Sequence, residues 1–187
     1  MNTAHAAWYT LPLFILCLLV LISILLSTLK TGISPMPSSG KARREILQQL
    51  FDRLPDSKQT MVDLGSGWGH LVIPLARRFP QHEVIGYELS WFPWLANLTV
   101  KYLLRLDNLT LYRRDFLRSD LATASVMVCY LVPQSMHALE QKLKADELEV
   151  PLLLSHYFAL PSFKSQTVVY LDDWYRTPVY VYERLTT

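Results

Sequence analysis

The stretch from Thr60 to Leu89, TMVDLGSGWGHLVIPLARRFPQHEVIGYEL, leaves the chain few ways to fold. Met61 to Leu64 is a short apolar run with Asp63 near its end, and Gly65-Ser66-Gly67-Trp68-Gly69 has the composition of a tight turn. From His70 to Phe79 the apolar residues Leu71, Ile73, Leu75, Ala76 and Phe79 recur at helical spacing, with Arg77 and Arg78 in the last turn and Pro80 as a stop. Glu83 to Leu89 reads as a second strand with Glu88 and Leu89 at its carboxyl end. Strand, glycine turn, helix and strand make a parallel βαβ unit, and an acidic residue closing its second strand suits a ligand with free ribose hydroxyls. The glycines permit positive φ and let a ligand lie against bare backbone. A carboxylate accepts both hydrogen bonds of a 2′,3′-diol, and Glu88 stands about 20 residues past the turn, where that role requires it.

The rest of the chain extends the same alternation. Lys41 to Leu54 is expected as a helix with Ala42, Ile46, Leu47, Leu50, Phe51 and Leu54 on one face. Trp91 to Leu106 is expected as a helix whose first aromatics, Trp91, Phe92 and Trp94, are better suited to core than to a substrate mouth. Leu109 to Arg113 is a third strand leading to Asp115-Phe116, where the carboxylate can accept an adenine amino group while the ring packs on the base. The rival reading of Asp115 is a helix or turn cap. Ala124 to Val132 is apolar and β-rich, as a central parallel strand buried on both faces should be, and places Tyr130 on the ligand side of the sheet. Ser135 is expected to cap the next helix, Val150 to Phe158 to be a strand ending at His156 and Tyr157, and Gln166–Leu171 with Val179–Arg184 to form a closing hairpin. The expected fold is therefore α/β, Rossmann-like, with a seven-stranded sheet and helices on both faces.

The amino-terminal residues follow a different logic. Leu11 to Leu29 carries no charge and spans ~28 Å as a helix, close to the hydrocarbon thickness of a bilayer, with Trp8 and Tyr9 at an interfacial position. A cleaved signal peptide fits badly, because no Lys or Arg precedes the run and no small-residue cleavage site follows. The expected organisation is a transmembrane anchor over 1–30, a Pro/Gly/Ser linker over 31–40 and a catalytic domain over 41–187. Lys30, Lys41, Arg43 and Arg44 follow the span and no base precedes it, which puts the domain on the cytoplasmic side. A short arginine-free N-terminus favours a bacterial inner membrane over a mitochondrial one. A net charge of +2 gives no ground for nucleic-acid binding. Cys17 and Cys129 form no disulfide framework, and His5, His70, His82, His137 and His156 show no metal-ligand spacing.

The turn resolves the choice of nucleoside. A dinucleotide site wants G-x-G-x-x-G, whereas Asp63, Gly65, Gly67 and Gly69 make D-x-G-x-G-x-G, which resembles motif I of the class I S-adenosylmethionine (SAM) methyltransferases. The single N-terminal span, VDLGSGWGHLVI, GYELSWFPWLAN, VPQSMHALEQKL and YLDDWYRTPVYVYE together resemble the membrane-anchored methyltransferases that modify lysines of the adenine nucleotide translocase and the ATP synthase c-subunit. The resemblance implies SAM as cofactor, held by Asp63, Gly65, Ser66, Gly67, Gly69, Glu88, Leu89, Asp115 and Phe116. It also lends the linker residues Pro35, Pro37, Ser38 and Ser39 a part in the active site. The chain departs from the family with Trp68 in place of an acid, His70 in place of Arg and Ser90 in place of Asn, while the glycines and Glu88 are kept.

The expected reaction is in-line transfer of a methyl group, in which the protein mainly aligns donor and acceptor. Tyr130 is the expected acceptor-positioning residue, with His156 and Tyr157 as further candidates. A lysine of a membrane or membrane-near protein is the expected acceptor. A lipid or small hydrophobic acceptor, and a non-catalytic SAM- or nucleotide-binding module, are the alternatives.

Overall fold

The computed structural model of the chain describes residues 8–15, 17–18, 21–22 and 39–185. The expected anchor at 11–29 and linker at 31–40 lie largely outside them. The described residues before 23 are helical, and among the described residues no helix is long and apolar enough to cross a membrane.

The first helix of the folded part, α1 (Gly40–Arg53), starts at Ser39, whose side chain accepts from the Ala42 N–H at 3.1 Å. Ala42, Ile46 and Leu50 recur every four residues and are buried, and sequestering Ile46 and Leu50 stabilises the fold by ~1.5–3 kcal/mol each. Phe51, expected on that face, is exposed, and the Arg78 guanidinium lies 4.8 Å from its ring centroid. Then follow β1 (Thr60–Leu64), α2 (Val72–Arg78), β2 (Glu83–Tyr87), α3 (Trp91–Leu104) and β3 (Leu109–Tyr112). A 3₁₀ turn (Phe116–Arg118) leads to β4 (Val126–Cys129), α4 (Pro133–Ala145), β5 (Val150–His156), β6 (Thr167–Tyr170) and β7 (Pro178–Leu185).

The strands form one seven-stranded sheet in the order β3-β2-β1-β4-β5-β7-β6. The first five are parallel; β7 runs antiparallel between β5 and β6. Alternation along the central strands separates two cores. Met61, Val126, Val128 and Leu154 join α1 and α2 on one face, while Val62, Leu64, Met127 and Leu153 join α4 on the other. The α4 helix begins one residue after Val132, with Pro133 in its first turn; Ser135 therefore lies inside the helix and is not its cap. The central β4 is shorter than the apolar run that encodes it, because the chain leaves the sheet at Tyr130. Lys41, in the first turn of α1, donates its ammonium to the Asp172 carbonyl in the β6–β7 connection.

Candidate active site

The glycine turn forms because β1 has nowhere to go once it has paired with β2. The N–H groups of Gly65 and Ser66 both donate to the Tyr87 carbonyl, at 3.1 and 2.8 Å, and the chain reverses with Gly65, Gly67 and Gly69 at φ of 87°, 51° and 81°. Gly69 is also sterically fixed: a Cβ there would stand 2.1 Å from Asn97 Oδ1. Around Gly67 a Cβ would meet nothing within 4 Å, so its backbone faces open space that a ligand can fill.

Glu88 ties this turn to the end of β2. Its Oε2 accepts from the Gly67 N–H at 2.8 Å and its Oε1 from the Ser90 N–H at 2.7 Å. Each carboxylate oxygen can accept more than one hydrogen bond, so the clamp fixes the side chain while leaving acceptor capacity for a diol. Beneath the turn, Asp63 is buried. The Val72 N–H donates to its carboxylate, yet Oδ2 has no partner. Burial, aided by the negative charge of Glu88, raises the Asp63 pKa from 3.8 to about 7.

Asn97, buried on the inner face of α3, completes the cradle. Its Nδ2 donates to the Gly67 carbonyl at 2.8 Å and approaches Ser66 Oγ at 3.5 Å, while its Oδ1 is unpaired. Sequence reasoning missed Asn97. The signal was present: it is a polar residue four positions after Pro93, the other buried residue of a helix whose remaining polar residues are Thr99 and Lys101. Two orphaned buried oxygens beside an open, glycine-lined backbone fit a polar nucleoside cofactor, because buried acceptors are costly unless something pairs them.

The structure thus brings together Asp63, Gly65, Ser66, Gly67, Gly69 and Glu88. Leu89 is half exposed next to Glu88. Asp115 and Phe116 lie past the end of neighbouring β3, where Asp115 Oδ1 accepts from the Leu117 N–H at 2.9 Å and caps the 3₁₀ turn. The capping reading of Asp115 is therefore realised, with the adenine role left to its remaining acceptor capacity. Trp91, expected in the core, is exposed.

A second cluster occupies the same carboxyl edge at the ends of the next two strands, β4 and β5. Leu64, Cys129 and Ser155 are in register, so Gly65, Tyr130 and His156 follow side by side. The Tyr130 ring lies 4.5 Å from that of His156 and 6.5 Å from that of Tyr157. Both ring nitrogens of buried His156 are unpaired, and burial lowers its pKa to about 4 against the opposing pull of Asp173. Burial raises the Tyr130 pKa, so its hydroxyl keeps its proton at neutral pH. Tyr157 holds a left-handed φ of 75°, pinned by its N–H bond to the Pro178 carbonyl at 2.9 Å, and such strain is tolerated where the surroundings over-determine it.

Known proteins match this architecture. The fold is similar to an RNA methyltransferase from Salinibacter ruber solved with S-adenosyl-L-homocysteine (21% identity, 80% of this chain and 94% of that one, TM-score 0.62). It is also similar to the putative methyltransferase yhhF of Escherichia coli (12% identity, 80% and 89% coverage, TM-score 0.63). In sequence, 137 residues are 28% identical to the mouse adenine nucleotide translocase lysine N-methyltransferase, covering 72% of this chain. The chain spans 58% of that relative's length. The profile of the ANTKMT methyltransferase domain matches residues 63–167, more than half of the chain and all of the cradle from Asp63 to Asn97. The chain belongs to the ANTKMT methyltransferase domain family, and it carries the fold of a SAM-dependent methyltransferase.

Proposed function

We propose that this protein methylates lysine side chains of a membrane or membrane-associated protein, with SAM as donor. The observation that carries the reading is the Glu88 clamp: a carboxylate held at 2.8 Å from the Gly67 N–H, where a ribose diol can reach it. SAM, when bound, supplies a methyl group on a positively charged sulfur, already activated for displacement by a neutral amine. Asp63, Ser66 and Asn97 stiffen the glycine turn from below, Glu88 holds the sugar, and Leu89, Asp115 and Phe116 are placed to frame the base. Tyr130 sits at the opening toward the acceptor and orients the incoming amine through its hydroxyl. His156, kept uncharged by burial, and the Tyr157 ring wall that position and exclude water, which favours the neutral form of a lysine. The lysine sheds its proton to solvent before attack, and the bond to its nitrogen forms as the bond to sulfur breaks.

The choice of lysine is supported by the likeness to the mouse translocase methyltransferase. The uncharged run at 11–29 supports a bilayer anchor over 1–30, a linker over 31–40 and a domain from 41 onward, in a bacterial inner membrane with the domain facing the cytoplasm. A lipid or small hydrophobic acceptor is the second reading, favoured by the same run, which would concentrate the enzyme beside such molecules. Incubating host membranes with radiolabelled SAM and the full chain distinguishes them. Label in protein bands, recovered after acid hydrolysis as methyl-lysines, supports the first. Label confined to the lipid extract supports the second, and SAM binding without any transfer would make the domain a binding module.

A further inference from the structure

The α3 helix has two apolar faces and only one of them is used. Pro93 and Asn97 face the sheet. On the opposite side Trp91, Leu95 and Tyr102, spaced by four and seven residues, form a stripe along the helix with exposures of 56%, 43% and 69%. Leu103, about 100° further round the helix, is also exposed, at 76%. An amphipathic surface helix ordinarily turns such residues inward, so this stripe is built to meet something apolar.

Its surroundings specify what. The Arg113 guanidinium lies 4.0 Å from the Trp91 ring centroid, and Lys101 Nζ lies 5.8 Å from that of Tyr102. Exposed Arg105 closes the helix in a left-handed conformation, and none of these three bases is in an ion pair among the described residues. Asp107 is the one acid in the turn that follows. Aromatic rings with guanidinium and ammonium groups along one side of a helix match the boundary between acyl chains and anionic headgroups.

We propose that the outer face of α3 lies on the surface of an anionic lipid bilayer, with Trp91, Leu95 and Tyr102 dipping into the interface and Lys101, Arg105 and Arg113 on phosphate. Because α3 starts three residues after Glu88, this contact sets the cofactor turn beside the membrane and fixes the rotation of the domain about any tether. The contact is independent of the acceptor's identity and of whether methyl transfer occurs.

The test uses the full chain with Cys17→Ser and a nitroxide at Leu95→Cys, compared with one at Gln141→Cys on exposed α4 at the other face of the sheet. Buried Cys129, with its thiol pKa pushed up to about 12, takes no label. On equimolar phosphatidylcholine/phosphatidylglycerol vesicles the Leu95 label should gain accessibility to oxygen and lose it to a water-soluble nickel chelate, while the Gln141 label does not change. Arg113→Glu should abolish that shift. If vesicle-bound protein leaves the Leu95 label as open to the nickel chelate as the Gln141 label, the N-terminal segment alone carries binding and the proposal is overturned. Protection of Leu95 without lipid would mean that the chain itself or a second copy covers the face, and an equal shift on pure phosphatidylcholine would remove the anionic surface; either result overturns it. Since the readout is spectroscopic, an inactive enzyme leaves the test intact.

Discussion

Asp63 is a carboxyl that the fold penalises when it is ionised, and the penalty can be measured. Its pKa of about 7 in the folded protein stands against 3.8 when unperturbed. At ~1.4 kcal/mol per pH unit, the difference corresponds to a cost on the order of 4 kcal/mol once the group is fully charged. The folded value lies above the unfolded one, so the stability contributed by protonated Asp63 is complete below about pH 4, declines as pH rises, and is gone past about pH 7. Asp63→Asn removes the titration and keeps an oxygen for the Val72 N–H. Its amide nitrogen, placed where the unpaired Oδ2 now sits, adds a penalty of roughly 1–3 kcal/mol that does not vary with pH and so cancels. Urea unfolding of the full-length parent and variant, followed by circular dichroism at about pH 4 and about pH 8, should show the variant gaining about 2–4 kcal/mol on the parent between the two. A difference that stays constant across that range would refute the burial argument, and with it the account of Asp63 as an uncompensated acid beneath the turn.

Glu88→Ala should weaken SAM binding roughly 10- to 100-fold by calorimetry, since one or two charge-assisted hydrogen bonds at ~1.5–3 kcal/mol each are lost; an unchanged affinity would remove Glu88 from the ribose role. Gly69→Ala, whose Cβ would stand 2.1 Å from Asn97 Oδ1, should lower the melting temperature well below that of Gly67→Ala, which meets open space and bears only a backbone cost. Equal melting temperatures would show that Asn97 moves freely. Tyr130→Phe should reduce kcat while leaving SAM affinity intact, as the proposed role of its hydroxyl in orienting the amine requires; a loss of SAM binding with no change in kcat would place Tyr130 with the cofactor instead.

Most of the cradle around the glycine turn was legible because it is local. The turn, the strand before it and Glu88 lie within one βαβ unit, where glycine spacing and apolar periodicity carry the information directly. Asn97 escaped because its role comes from packing: a polar residue inside an apolar helix has meaning only once that helix is laid over Ser66 and Gly67. Trp91 was misplaced for a related reason. Periodicity shows that a residue is apolar, but α3 is apolar around most of its circumference, and only the sheet decides which side is buried. The pairing of Tyr130 with His156 depended on strand order, with β4 beside β5, and on a register that no short-range pattern encodes. Ser135 failed as a cap because Pro133 had already opened the helix.

The double grip on Glu88 bears on turnover. With both oxygens held by backbone N–H groups, the side chain gives up its rotamer freedom when the chain folds, so that loss is not repeated when a nucleoside arrives. The sugar it would hold is the same before and after a methyl group leaves, and the clamp cannot tell fresh donor from spent product. Discrimination must then come from the sulfur end alone. On the proposed role of Glu88, occupancy of the site would follow the ratio of the two species rather than the abundance of either.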